Sequence, residues 1–157
     1  MIKVLITDKL AQEGIDLLKS MNDVEAVVKT KVGEDELART IGEYDGLIVR
    51  SETKVTAKVL ANPGRLKAIA RAGVGVDNID VTAATRKGIL VMNTPGGNTL
   101  SAAEHTMALI LAMSRQVVPA CNSLKAGIWE KKKYMGNQLN NKILGLIGLG
   151  RIGMAVA

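Results

Sequence analysis

Short, uninterrupted apolar runs recur along the chain, at residues 3–7, 24–28, 46–49, 67–70, 89–92 and 143–147, each closed by a polar or glycine-rich break. Strict alternation would mark strands wetted on one face. Continuous runs mark strands of a parallel sheet covered on both faces. Helical spacing fills the intervals. Residues 10–21 place Leu10, Ile15, Leu17 and Leu18 near one side, and residues 34–41 gather Leu37, Ala38 and Ile41. Residues 56–60 make a shorter helical candidate, ended by Asn62-Pro63-Gly64, and residues 79–87 stop at Gly88, a residue type that closes helices. Strand–helix alternation predicts βαβ units, so the fold class is α/β. Five strands fit before about residue 95, which predicts a compact, flavodoxin-like, doubly wound parallel sheet.

After Pro95-Gly96-Gly97 the texture changes. Ser101-Ala-Ala-Glu104 has the spacing of a capping box, in which the hydroxyl accepts from a first-turn amide and the carboxylate reaches back. A long helix is predicted from there to about Arg115, continuing past Pro119 with a kink. It is apolar on several sides and is expected to be buried against another domain or subunit. The sixth apolar run leads into Gly148-Leu-Gly150-Arg-Ile-Gly153, the spacing of a dinucleotide fingerprint. Gly148 permits the tight turn, Gly150 lets backbone approach a pyrophosphate, and Gly153 allows close packing. The amides of Arg151 and Ile152 would then cap the phosphates. The chain is therefore divided into residues 1–97, a flavodoxin-like domain, residues 98–141, a connecting helix and linker, and residues 142–157, the first strand and turn of a nucleotide-binding domain.

Composition narrows the function classes. Of 157 residues, 47% are apolar, yet there is no Phe, one Trp and two Tyr. So few aromatics exclude a stacking platform for single-stranded nucleic acid. The net charge of +6 is spread along predicted helix surfaces, and the one run, Lys131-Lys132-Lys133, is read as a solvated face. No nucleic-acid partner is expected. Surplus positive charge does steer small anions. Cys121 is the only cysteine, which leaves no intrachain disulfide or zinc cluster and fits a reducing compartment. Residues 1–8 lack a signal-peptide pattern, and residues 102–118 are interrupted by Glu104, His105 and Arg115. A cytoplasmic protein with no membrane span and no metal site is expected.

In an open parallel sheet, ligands bind beyond the carboxyl ends of the strands. Those ends carry Thr7-Asp8, Arg50-Ser51, the segment from Arg71 to Asn78, and the segment from Asn93 to Asn98. Two arginine forks beside Gly73-Val74-Gly75, whose amides can form an anion nest, equip this edge for a carboxylate or phosphate. Against this stands a second reading, in which Arg50 and Arg71 are structural ion pairs with Asp8, Glu52 or Asp77. Both remain open at this level. His105 is the only histidine and follows Glu104, but neighbouring helical residues diverge, so it is read as structural. Cys121 is read as a packing residue, and Met92, Met107 and Met113 as core.

Five runs in order, residues 46–55, 71–78, 86–95, 97–107 and 148–153, resemble the D-2-hydroxyacid dehydrogenases over essentially the whole chain. They are most similar to the branch that acts on a phosphorylated glycerate. The resemblance implies a flavodoxin-like substrate domain, two long connecting helices of which the first corresponds to Ser101 onward, and a Rossmann domain that is incomplete here. It implies substrate binding by Arg50, Ser51, Arg71, Gly73, Val74, Gly75 and Asn98. Cofactor binding would fall to Val74, Gly148, Gly150, Arg151, Ile152 and Gly153, with NAD as cofactor. Val74 stands where relatives often carry Thr, Gly96 where some carry Asn, and Lys131 where Arg is expected. The implied reaction is oxidation of 3-phospho-D-glycerate to 3-phosphooxypyruvate, the first step of serine biosynthesis, in a homodimer or higher homo-oligomer. The family's catalytic Arg, Glu and His have no counterpart in residues 1–157, so the chain alone is expected to be inactive. The alternatives are a non-catalytic substrate-binding and dimerisation fragment, or a dehydrogenase for another D-2-hydroxyacid. Residues 143–147 are expected to fray, or to pair with another copy by exchange of residues 99–157.

Overall fold

A computed structural model describes all residues from Met1 to Ala157. They form two compact units, Met1–Gly97 and Asn98–Ala157.

The first unit is a five-stranded, wholly parallel sheet in the order β2-β1-β3-β4-β5. Its strands are β1 (Ile2–Ile6), β2 (Val24–Val28), β3 (Gly46–Val49), β4 (Ala68–Arg71) and β5 (Leu90–Asn93). Helix α1 (Gln12–Lys19) returns the chain from β1 to β2, α2 (Glu34–Thr40) from β2 to β3, and α3 (Val81–Arg86) from β4 to β5. The crossover from β3 to β4 is different. Residues 56–60 close a single turn, with the Leu60 amide 3.1 Å from the Thr56 carbonyl, and form no helix. The segment is too short to propagate before Pro63 and Gly64 redirect it. Gly64 is in the left-handed region at φ 53°, and a Cβ there would lie 2.5 Å from the Gly42 carbonyl oxygen. Only glycine fits this crossing.

Register explains the core. Leu5, Leu47, Ile69 and Val91 pair across four strands and share one face. Leu37 and Ile41 from the α2 region, with Val59 and Ala84, join that row in the main buried cluster, which Val55, Leu60 and Ile79 extend. The same face continues one step further to Val49, Arg71 and Asn93, which are mutually paired. Arg71 therefore stands where the core ends and the sheet's carboxyl edge begins.

The second face departs from expectation. Ile6 and Ile15 are buried there and Leu18 lines the trough beside β1, while Leu17 is 63% exposed. Toward β5 the face lies open, with Leu90 and Met92 at 59% and 45% exposure. The reason is dimensional. Helix α1 runs back along the strands it joins, and a helix about 10 Å wide covers only about two of five strands spaced roughly 4.8 Å apart. The expectation of cover on both faces, and of Met92 as core, is corrected accordingly.

The second unit contains α4 (Thr99–Ser114), α5 (Val117–Lys125) and α6 (Arg151–Val156). Helix α4 starts before Ser101, so the capping box does not form. The Asn98 carbonyl accepts the Ala102 amide at 2.9 Å and the Ser101 hydroxyl at 3.1 Å. Nor does Pro119 kink a continuous helix. Gln116 turns left-handed at φ 52° and ends α4, and the proline lies in the first turn of α5, where a missing N–H is harmless. Leu109, Leu111 and Met113 on α4 are exposed, as is Met107, so the burial expected of this helix is not provided by the chain itself. Residues 143–147 form no strand, and Ile143 and Ile147 are fully exposed. A strand exists only through a ladder partner, and none pairs with this run.

Candidate functional site

The sheet order places β1 and β3 side by side while their onward connections leave in opposite directions. At such a switch point the loops part and leave a crevice. Thr7-Asp8 and Arg50-Ser51 follow these two strands, and the segment after Arg71 follows the next strand over.

Arg50 and Ser51 are exposed at this edge. The Arg50 guanidinium meets no carboxylate, and its one bond runs from Nη1 to the Lys9 carbonyl at 3.3 Å. Asp8 is engaged elsewhere, by the backbone of residues 50–53. The Asn78 amide nitrogen adds a second tie, donating to the carbonyls of Arg50 at 2.8 Å and Thr53 at 2.6 Å.

Arg71 behaves differently. Its side chain is only 11% exposed, and Nη1 lies 2.6 Å from Asp77 Oδ1. This bond is the main reason the Asp77 carboxyl titrates below the ordinary carboxylate range. The Arg71 Nε is buried without a partner. The 73–75 loop wraps this guanidinium closely: a Cβ at Gly75 would sit 2.6 Å from Asp77 Oδ1 and 2.9 Å from Arg71 Nη1. The two readings left open by the sequence thus divide between the arginines. Arg71 is ion-paired, with Asp77, while Arg50 is not.

The nest is smaller than the sequence suggests. The Gly73 amide already donates to the Arg71 carbonyl at 2.9 Å, so it is withdrawn from any ligand. The amides of Val74 and Gly75 have no partner in the chain. Their loop is oriented from β5, since Thr94 donates its amide to the Gly73 carbonyl at 3.0 Å and the Asn93 side chain to the Val74 carbonyl at 2.6 Å. Both carbonyls are thus occupied while the two N–H groups stay unpaired. Val74 is exposed and offers no hydroxyl.

The remaining candidates lie in the second unit. Asn98 precedes α4 and is exposed. Gly148 takes φ 95°, and a Cβ on Gly153 would collide with the Gly148 carbonyl oxygen. Nothing lies within 4 Å of a Cβ built on Gly150, whose extended backbone opens α6, so Arg151 and Ile152 are its first residues. His105 is exposed on α4, and Cys121 is exposed rather than packed. No helix is long and apolar enough to cross a membrane.

Asp8, Asn78 and Asn93 carry much of this geometry, yet sequence pattern offered Asp8 only as a possible ion-pair partner of the arginines and gave the two asparagines no role. Their one signal is position: each is a short polar residue at or after a strand's carboxyl end.

The fold and this edge define the class. Residues 4–140 match the family described as D-isomer specific 2-hydroxyacid dehydrogenase, catalytic domain, and the chain belongs to that family of oxidoreductases. Among named relatives, it is 50% identical over 156 residues to the D-3-phosphoglycerate dehydrogenase of Archaeoglobus fulgidus, covering 99% of this chain and 29% of the relative. Of solved structures, the TT0316 protein of Thermus thermophilus superimposes with a TM-score of 0.88 at 36% identity, covering 99% of this chain and 51% of that one. The D-lactate dehydrogenase of Aquifex aeolicus, complexed with NAD and lactic acid, gives 0.82 at 30% identity, covering 98% and 46%. The chain spans about 29% of the length of its curated relatives.

Proposed function

We propose that this chain supplies the substrate-binding part of an NAD-dependent dehydrogenase that converts 3-phospho-D-glycerate to 3-phosphooxypyruvate. The observation that carries the reading is the carboxyl edge of the sheet, where Arg50 is free of carboxylates, Arg71 is held by one exposed partner, and the Val74 and Gly75 amides are unclaimed. A phosphate matches guanidinium forks, and a carboxylate matches two adjacent amides. One anion end on each fixes the hydroxyacid in a single orientation. Arg71 exchanges Asp77 for the ligand, an ion pair for an ion pair. Ser51 is assigned as a further polar contact.

Residues 148–153 fit an NAD pyrophosphate. Positive φ at Gly148, the space taken from any side chain at Gly153, and the open approach over Gly150 are what a phosphate-binding turn requires. When bound, NAD would accept the hydride from substrate C2. Gly148, Gly150 and Gly153 would hold the turn, and Arg151 and Ile152 would present amides. None of these residues takes up the hydroxyl proton, so the chain alone is proposed to bind without turning over.

A dehydrogenase for an unphosphorylated D-2-hydroxyacid is the competing reading. Calorimetric titration separates the two. Wild-type chain is expected to bind 3-phospho-D-glycerate, and Arg50→Ala and Arg71→Ala each to weaken binding by about 10- to 100-fold, the size of one charged hydrogen bond. Unchanged affinity in both variants, or equal affinity for D-lactate, would overturn the proposal.

The exposed apolar side chains of α4 and α5 favour a further property, assembly into a homodimer or larger homo-oligomer.

A further inference from the structure

Asp8 is 3% exposed at the carboxyl end of β1 and has no part in the substrate contacts assigned above. Its Oδ2 accepts the Arg50 amide at 2.5 Å and the Glu52 amide at 3.2 Å. The Thr53 amide is shared between Oδ1 at 3.1 Å and Oδ2 at 3.3 Å, and Oδ1 also accepts the Thr53 hydroxyl. Amides of one short segment converging on one point, here those of residues 50, 52 and 53, form the kind of backbone cradle that takes a phosphate or sulfate. Here the anion comes from the chain itself, delivered from a neighbouring strand.

We infer that Asp8 is a positioning residue, a built-in anion that sets residues 50–53 so that the Arg50 guanidinium stands at the sheet edge before any ligand arrives. Direct pairing of Asp8 with that guanidinium is the obvious alternative, but the guanidinium bonds to the Lys9 carbonyl instead. The segment belongs to no helix or strand, so its shape has to come from such ties. Arg50 has its N–H fixed by Asp8 and its carbonyl fixed by Asn78, which leaves only the side chain free. The arrangement also decides how an anion is met. With these three amides taken, a phosphate cannot claim those of Arg50, Glu52 and Thr53 and is directed to the arginine fork. A carboxylate so close to an anion site would repel a ligand, but it is surrounded by the donors it has gathered.

What Arg50 is positioned for rests on the proposed function, whereas the positioning itself is readable without ligand. Amide hydrogen exchange on the intact chain measures it, in wild type, Asp8→Ala and Asp8→Asn, each with and without added formate. In Asp8→Ala, protection at Arg50, Glu52 and Thr53 should fall by at least about tenfold while Leu47 and Ile69 keep theirs, and formate should restore part of it. With its single oxygen toward Arg50 and Glu52, Asp8→Asn keeps only the longer of the two Thr53 amide contacts, so protection should be reduced at Thr53 and kept at the other two. If Asp8→Ala does not fold, this second variant decides alone. Affinity for 3-phospho-D-glycerate should drop in Asp8→Ala, with no further drop when Arg50→Ala is added. Wild-type protection at residues 50–53 in both variants, or undiminished affinity in Asp8→Ala where Arg50→Ala is weak, would overturn the inference. A wild-type chain that binds no phosphoglycerate would instead overturn the proposed function, and the exchange pattern would still decide the role of Asp8.

Discussion

Gly75 shows how much of the site is decided by single atoms. Its missing side chain is what lets the loop lie on the Arg71–Asp77 pair. Gly75→Ala should push the pair apart and return the Asp77 carboxyl toward its ordinary titration range, as followed by NMR across the acid region. Because Arg71 lowers the Asp77 pKa in the folded chain, the pair stabilises the fold above the ordinary aspartate value. That contribution is lost as the pH falls through the lower folded value. Wild type should therefore lose stability over this acid window, and Gly75→Ala should show a shallower loss there. Arginine and glycine-loop residues were legible in the sequence because their chemistry is rare at strand ends. The role of Asn78 was not, since an amide after a strand fits many turns, and Asp8 was legible only as a possible ion-pair partner, because only the fold brings it to the amides of residues 50–53 from 42 to 45 positions away.

At the level of elements, hydrophobic pattern located all five strands of the sheet, because a strand buried on its core face must be apolar wherever it occurs. Helix limits were less legible. Asp80 caps α3 by accepting the Ala83 amide at 2.8 Å, whereas the apolar pattern alone began that helix at residue 79. Asp80→Ala should cost about 1 kcal/mol in denaturant unfolding. Leu37→Ala, which empties a fully buried position between α2 and the sheet, should cost about 2–5 kcal/mol in the same measurement. Residues 143–147 have the composition of a strand and no ladder. Pairing is a property of two segments, and apolar content reports on one.

Across the whole molecule, the uneven distribution of cover is the dominant feature. The first unit buries one sheet face, while α4 and α5 leave Leu109, Leu111, Met113 and Val118 exposed. Analytical ultracentrifugation is expected to find a dimer or larger species, and replacing Leu111 and Met113 by Ser should shift it toward monomer. A wild-type chain that stays monomeric at high concentration would contradict homo-oligomer formation. The net charge of +6 would add long-range attraction for the proposed anionic substrate, while in the proposed function the placement of Arg50 and Arg71 confers direction. The most direct test of that claim is an NMR titration of isotope-labelled chain with 3-phospho-D-glycerate, reading backbone amides and arginine side chains together. The expected result is a set of saturable shifts confined to the Arg50 and Arg71 guanidinium signals and the Val74 and Gly75 amides, with the guanidinium shifts missing when D-glycerate replaces the phosphorylated acid. Shifts centred elsewhere, or identical with both ligands, would contradict it.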